Sequence, residues 1–214
     1  IRIFSDGSFE VSESDIFFND AFPWSVTPGG TPGRFDFQSV ATHEIGHFLG
    51  LGHSGVGVME TNGDRRELVE GSAAMFPFAF PRGSTIGRTL TPDDIAGASA
   101  LYPTASFSQE TGSLSGSITK NGEGLLGAQV LTFNPFTGEM IGFFTDGSGE
   151  FQIRGLKPGP HVVRVNPITD PASPDDFGFD EAEVDLDFSD ALFKGRAEVQ
   201  PAGNTTGIDV EVQP

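Results

Sequence analysis

The sequence predicts an α+β chain of two unlike halves: a helix-bearing N-terminal part with a few strands, followed by an all-β sandwich. Three observations predict this. Within residues 36–54, apolar residues and histidines stand at helical spacing up to a glycine, Gly50. From Gly112 the pattern changes to short alternating runs separated by Asn-Gly, Asp-Gly and Pro-Gly turns. Between the two, Pro103 to Thr111 is polar and reads as a linker, which sets the expected boundaries at 1–103, 104–111 and 112–214.

A chain of 214 residues is long enough for one large or two small domains with real cores. Its formal charge of −18 gives a surface that repels phosphate backbones, so nucleic acid is not an expected partner. No run of 18 apolar residues exists, hence no membrane span is expected. Ile1 opens into strand-like sequence without the basic start or apolar core of a signal peptide, so an exported protein would be represented here by a mature or truncated chain. With no cysteine, disulfides and thiol chemistry are excluded. The pairing of an acidic surface with no cysteine fits a secreted, extracellular bacterial protein.

In chain order, Ile1 to Phe4 and Phe9 to Phe18 read as strands around an Asp6-Gly7 turn, and Pro23 to Gly33 as a loop. Asp36 is a good N-cap for the helix, with Val40, Ile45, Phe48 and Leu49 supplying its apolar faces. On that helix His43 and His47 stand one above the other. Gly50 can take the positive φ that turns the chain, so that His53 swings back beneath the pair. Three neutral imidazoles on an open face make a zinc site with a free coordination position. Glu44 follows the first histidine directly, so its carboxylate lies beside the ion, where a general base belongs. The bland reading is two solvent-facing histidines with Glu44 as an i,i+3 partner. With four histidines in the chain, the full H-E-x-x-H-x-x-G-x-x-H spacing arises by chance in roughly one chain in 100,000, which favours zinc.

Gly55 to Gly71 is a polar insert. Thr91-Pro-Asp-Asp starts a second helix, with Thr91 as N-cap and Pro92 at the first helical position; capping alone accounts for Asp93 and Asp94. The sandwich strands are expected at Ser113 to Thr119, Gly127 to Phe133, Glu150 to Arg154, His161 to Val165 and Gly207 to Val212. Asp170 to Asp190 carries nine acidic residues and no basic one. It reads as a solvated loop, and calcium is only a minor candidate there because no EF-hand spacing is present. His161 reads as an ordinary strand residue.

The histidine motif resembles that of the metzincin metallopeptidases, and the serine after the third histidine points to their matrixin branch. Ser72-Ala-Ala-Met-Phe-Pro77 resembles the family's Met-turn, and Leu90 to Pro103 its closing helix. Met59 rivals Met75 for the Met-turn position; the proline and aromatics after Met75 favour the latter. The resemblance implies a zinc endopeptidase acting on protein or peptide substrates, with His43, His47 and His53 as ligands and Glu44 as general base and acid. It further implies that Asp94 bonds the Met-turn backbone, and that Ser39, Phe76, Pro77 and Phe78 line the pocket for the residue after the cleaved bond. A small residue at position 39 leaves that pocket deep. The 42 residues before His43 are fewer than the family's usual complement, so the domain reads as N-terminally shortened, with Ser14 to Asn19 as the last sheet strand. Residues 116–165 resemble the carboxypeptidase regulatory-like (transthyretin-like) module. Two rivals stand beside the peptidase reading: a zinc-binding but inactive fragment, and a chain that works through its sandwich as a protein- or surface-binding module.

Overall fold

Leu114, Gly116 and Ile118 alternate inward along Gly112–Lys120, and this strand organises the C-terminal half. In the computed structural model, which describes residues 2–3, 9–10, 13–57, 59–62, 65–68, 72–169 and 172–214, Glu150–Leu156 pairs antiparallel along one edge of that strand. Asn204–Thr205 and Val210–Val212 run parallel to it along the other. Gly116 is required there, because a Cβ would stand 2.1 Å from the Ile208 carbonyl oxygen. The Asn-Gly turn after Lys120 has φ of 55° at Asn121 and 81° at Gly122, both left-handed, as a tight hairpin demands.

The second sheet runs in the order Met140–Phe144, Gln129–Phe133, Gly159–Asn166 and Ala191–Leu192, with Ala197–Val199 on the first residues of Gly159–Asn166. Leu114, Ile118, Val130, Ile153, Leu156, Val163 and Val165 fill the space between the sheets, and each is essentially inaccessible to solvent. Burying each such side chain is worth about 1.5–3 kcal/mol. The five expected strands are all present, with shifted ends. Met140–Phe144 escapes a sequence reading because Gly142 interrupts its apolar run.

The N-terminal half departs further from expectation. Among the described residues, only Phe9–Glu10 of the long Phe9 to Phe18 strand is extended and paired, against Arg2–Ile3. The Asp6-Gly7 turn lies outside the described residues. Residues 13–19 form no strand, because Phe18 is drawn into an aromatic cluster instead: its ring lies 4.3 Å from that of Phe37 and 5.7 Å from that of Trp24. The expected loop at Pro23 to Gly33 begins with a two-residue strand, Trp24–Ser25, parallel to Phe35–Asp36. The polar insert holds a hairpin of Met59–Asn62 and Arg65–Leu68. Among the described residues the α-helices are α1 at Phe37–Phe48 and α2 at Pro92–Leu101, both started by side-chain caps, and the short α3 at Phe107–Glu110, inside the expected linker.

Helix α1 does not bury the face that its apolar residues suggest. Ile45, Phe48 and Leu49 are 49%, 42% and 40% exposed, while Ser39 and Gly46 are its buried positions. Small residues are inside because α1 approaches the 3₁₀ turn Ile86–Arg88 and Met75 closely; Cβ atoms on Gly87 and Gly46 would overlap Phe80 and Met75.

Helix α2 joins the halves. Ala96 belongs to the same buried cluster as the sandwich residues, and it packs where Gly155, at φ of 78°, leaves room. One turn earlier Asp93 accepts from the Ser54 hydroxyl at 2.5 Å and from the Gly142 amide at 2.8 Å, bridging the two halves. Burial pushes this carboxyl up to about 6, against the two hydrogen bonds. Its folded value therefore lies above its unfolded one, so its contribution to stability is full below about pH 4 and is lost as pH rises through about 6. With metal removed, Asp93→Asn is expected to gain about 1–3 kcal/mol of unfolding free energy relative to the parent between pH 4 and pH 7. Urea unfolding at both pH values checks this, and a difference independent of pH contradicts it.

Candidate metal centre

The N-terminus of α1 is held before any ligand is placed. Asp36 caps it as expected, accepting from the Ser39 amide and hydroxyl, both at 2.8 Å. The same carboxylate takes two bonds from Arg88, whose remaining N–H groups donate to the carbonyls of Thr27 and Pro28. The Arg88 hydrogen bond, aided by those of Ser39, holds the Asp36 carboxyl below its usual range although it is buried. Arg88 carried no signal in the sequence, because its partner lies 52 residues away.

His43 and His47 occupy one face of α1, and Gly50, at φ of 93°, turns the chain so that His53 returns. The Nε2 atoms of His47 and His43 are 3.1 Å apart, as are those of His47 and His53. Each ring's other nitrogen faces a backbone carbonyl: His43 Nδ1 lies 2.7 Å from Ala74 O, His47 Nδ1 lies 2.9 Å from Leu51 O, and His53 Nδ1 bonds Asp176 O. A carbonyl oxygen only accepts, so every Nδ1 carries the proton and every Nε2 presents a lone pair. Burial lowers the His43 pKa, which keeps that ring neutral. Three lone pairs at such separations repel one another unless a cation lies between them.

Zinc fits this donor set. Ligand nitrogens about 2.0–2.1 Å from a tetrahedral ion are about 3.3 Å from one another, close to the spacing seen. Among the described residues this trio is the one group of three or more such side chains whose donor atoms converge, all within 4.8 Å. The carboxylates of the acidic segment 172–190 do not.

The turn at Ala73–Phe76 supports the centre from below. The Asp94 carboxylate accepts from the Ala74 amide at 2.9 Å and the Met75 amide at 3.0 Å, and also from the Thr91 amide and hydroxyl. It thereby does more than cap α2. Met75 is buried, with its sulfur against Gly46, and its carbonyl accepts from the Ser54 amide at 2.8 Å. The backbone of Met59 lies in the insert hairpin, and its side chain is outside the described residues.

A recess of about 140 Å³ opens beside His43 and Glu44, walled by Ser39, Ala74, Pro77, Phe78 and Phe80. Phe80, whose ring lies where a Cβ on Gly87 would stand, forms one side of it. Phe76 is not in the wall; it is buried beneath Gly57. Among the described residues nothing hydrogen-bonds the half-buried Glu44 carboxylate. His161 is far from this centre in the sandwich, where it bonds Gly159 O.

Comparison with known proteins agrees with these features. Residues 4–103 match the matrixin family, and residues 113–188 match the carboxypeptidase regulatory-like domain. Metalloendoproteinase 1-MMP of Arabidopsis thaliana is 38% identical over 98 residues, which is 44% of this chain and 22% of that protein. Metalloendoproteinase 1 of Glycine max is 42% identical over 77 residues, covering 36% of this chain and 20% of that one. The chain thus spans about a fifth of the length of these curated relatives. Among solved structures, the Bacillus anthracis TIE protein is similar at 17% identity with a TM-score of 0.33, over 49% of this chain and 16% of that one.

Asp94→Ala would strip two buried turn amides of their acceptor, and each such loss costs about 1–3 kcal/mol. The variant is expected to unfold at least 2 kcal/mol more easily in the metal-free chain. Denaturant titration measures it; a change under about 0.5 kcal/mol would show that Asp94 does not hold the turn.

Proposed function

With a matrixin segment at residues 4–103, we propose that this chain is a zinc-dependent endopeptidase that hydrolyses peptide bonds in extracellular proteins or peptides. The observation that carries the reading is the orientation of His43, His47 and His53, each with Nδ1 on a carbonyl and Nε2 turned to a common point. Those three nitrogens would hold the ion. When bound there, zinc supplies a Lewis acid that acidifies water and polarises a carbonyl.

The chain's own residues do the rest. Glu44, next to His43 and at the mouth of the recess, takes the proton of the attacking water on its carboxylate. It then returns that proton to the amine that leaves. Pro77, Phe78 and Phe80 give the recess apolar walls, suited to one medium-sized apolar side chain following the cleaved bond. Ser39 leaves space there without offering a free hydroxyl, since its Oγ donates to Asp36.

The test is cleavage of casein or a quenched peptide by the zinc-loaded chain, beside Glu44→Gln. The variant is expected to lose about 10²–10⁴-fold in rate with its zinc content unchanged. Equal rates in parent and variant would remove Glu44 from the chemistry. A parent that holds one zinc and cleaves nothing would instead favour the inactive, binding-module reading. Chelation is expected to abolish cleavage and added zinc to restore it; activity that survives removal of the metal contradicts the proposal.

A further inference from the structure

Of the three carbonyls that hold the imidazoles, two come from the helix's own neighbourhood, at Leu51 and Ala74. The third comes from the β-rich half. Asp176, 123 residues beyond His53, lies in the 3₁₀ turn Pro174–Phe177, inside the acidic stretch that reads from sequence as a solvated loop. The turn is built rather than loose. The Asp176 carboxylate accepts from the Ser173 amide at 2.8 Å and hydroxyl at 3.2 Å, Pro174 is buried, and Gly178 closes the turn at φ of 80°. The Phe177 ring packs at a tilt against Phe144 of the second sheet, with ring centroids 4.7 Å apart.

The rest of the His53 loop also leans on the β-rich half. Gln129 Nε2 donates to Gly55 O, and Asp93 links Ser54 to the Gly142 amide. Phe144 and Gln129 both crowd the space that a side chain at Gly55 would need. His43 and His47 are fixed by the helix, whereas His53 sits on a loop whose orientation is set from across the junction.

We propose that Asp176, through its main-chain carbonyl, is a positioning residue for His53, so that the β-rich half completes the metal centre. The carbonyl fixes the proton on Nδ1, aims Nε2 at the ion and raises its basicity. Loss of such an outer partner typically weakens metal binding 10–100-fold. The proposal rests on the zinc reading of the histidine trio.

Zinc affinity of this chain, measured by competition with a chromophoric chelator, tests it in Ser173→Ala and Asp176→Ala, with Ser113→Ala, whose hydroxyl bonds Asn204 on the first sheet, as control. Both turn variants lose side-chain bonds that shape the turn, while the Asp176 carbonyl that bonds His53 stays in the main chain. Asp176→Ala is expected to bind zinc roughly tenfold or more weakly, and Ser173→Ala less severely so, with the control at parental affinity. In nitrogen NMR of the zinc-loaded parent, His53 is expected to show a protonated Nδ1 in slow exchange, and Asp176→Ala a faster one. Parental affinity and an unchanged His53 signal in both turn variants would overturn the proposal while leaving the zinc reading intact. If Asp176→Ala does not fold, the Ser173→Ala affinity and the His53 signal of the parent decide. A parent that binds no zinc overturns both.

Discussion

Every feature of the centre depends on where three ring protons go. Because Ala74, Leu51 and Asp176 each offer a carbonyl to an Nδ1, the rings of His43, His47 and His53 cannot share protons among themselves. Their lone pairs are forced together at about van der Waals distance. Such an arrangement is unfavourable in an empty pocket and favourable around a cation, which is why the three rings fit an ion. Gly50, Asp94 and the Ala73–Phe76 turn serve this arrangement, since each sets the path of a segment that carries a ligand or a carbonyl.

The same constraint explains why the two halves meet where they do. Ala96 enters the sandwich core one helical turn from Asp93, and Asp93 reaches both Ser54 and Gly142. Helix α2 therefore carries two neighbouring carboxylates with different tasks. Asp94 points down to the turn beneath His43 and His47, while Asp93 points across to the loop of His53. One short helix thus registers the fixed part of the centre against the loop part.

Much of this was legible in the sequence, for local reasons. The spacing of His43 and His47, the Asp36 cap and the Thr91-Pro-Asp-Asp start are each written within a few residues, so helix geometry places them, and Gly50 marks the turn toward His53. Only the matrixin resemblance, and no local pattern, pointed Asp94 toward the Ala73–Phe76 segment, whose Ala74 and Met75 amides donate to its carboxylate. What stayed hidden rests on long-range pairing. Arg88 with Asp36, Asp93 with Gly142 and His53 with Asp176 join positions 49 to 123 residues apart, and nothing local marks them. The apolar side chains of α1 misled for a related reason. Ile45 and Phe48 look like core by composition, but close helix approach needs small residues, so Ser39 and Gly46 took the inner face. Likewise, Phe18 satisfied its hydrophobicity in an aromatic cluster rather than in a strand.

X-ray absorption at the zinc edge of the full chain addresses the central claim most directly. Three imidazole nitrogens at about 2.0 Å from a single ion, falling to two in His53→Ala, are predicted. An ion surrounded by one imidazole or none, or a spectrum that His53→Ala leaves unchanged, would contradict it.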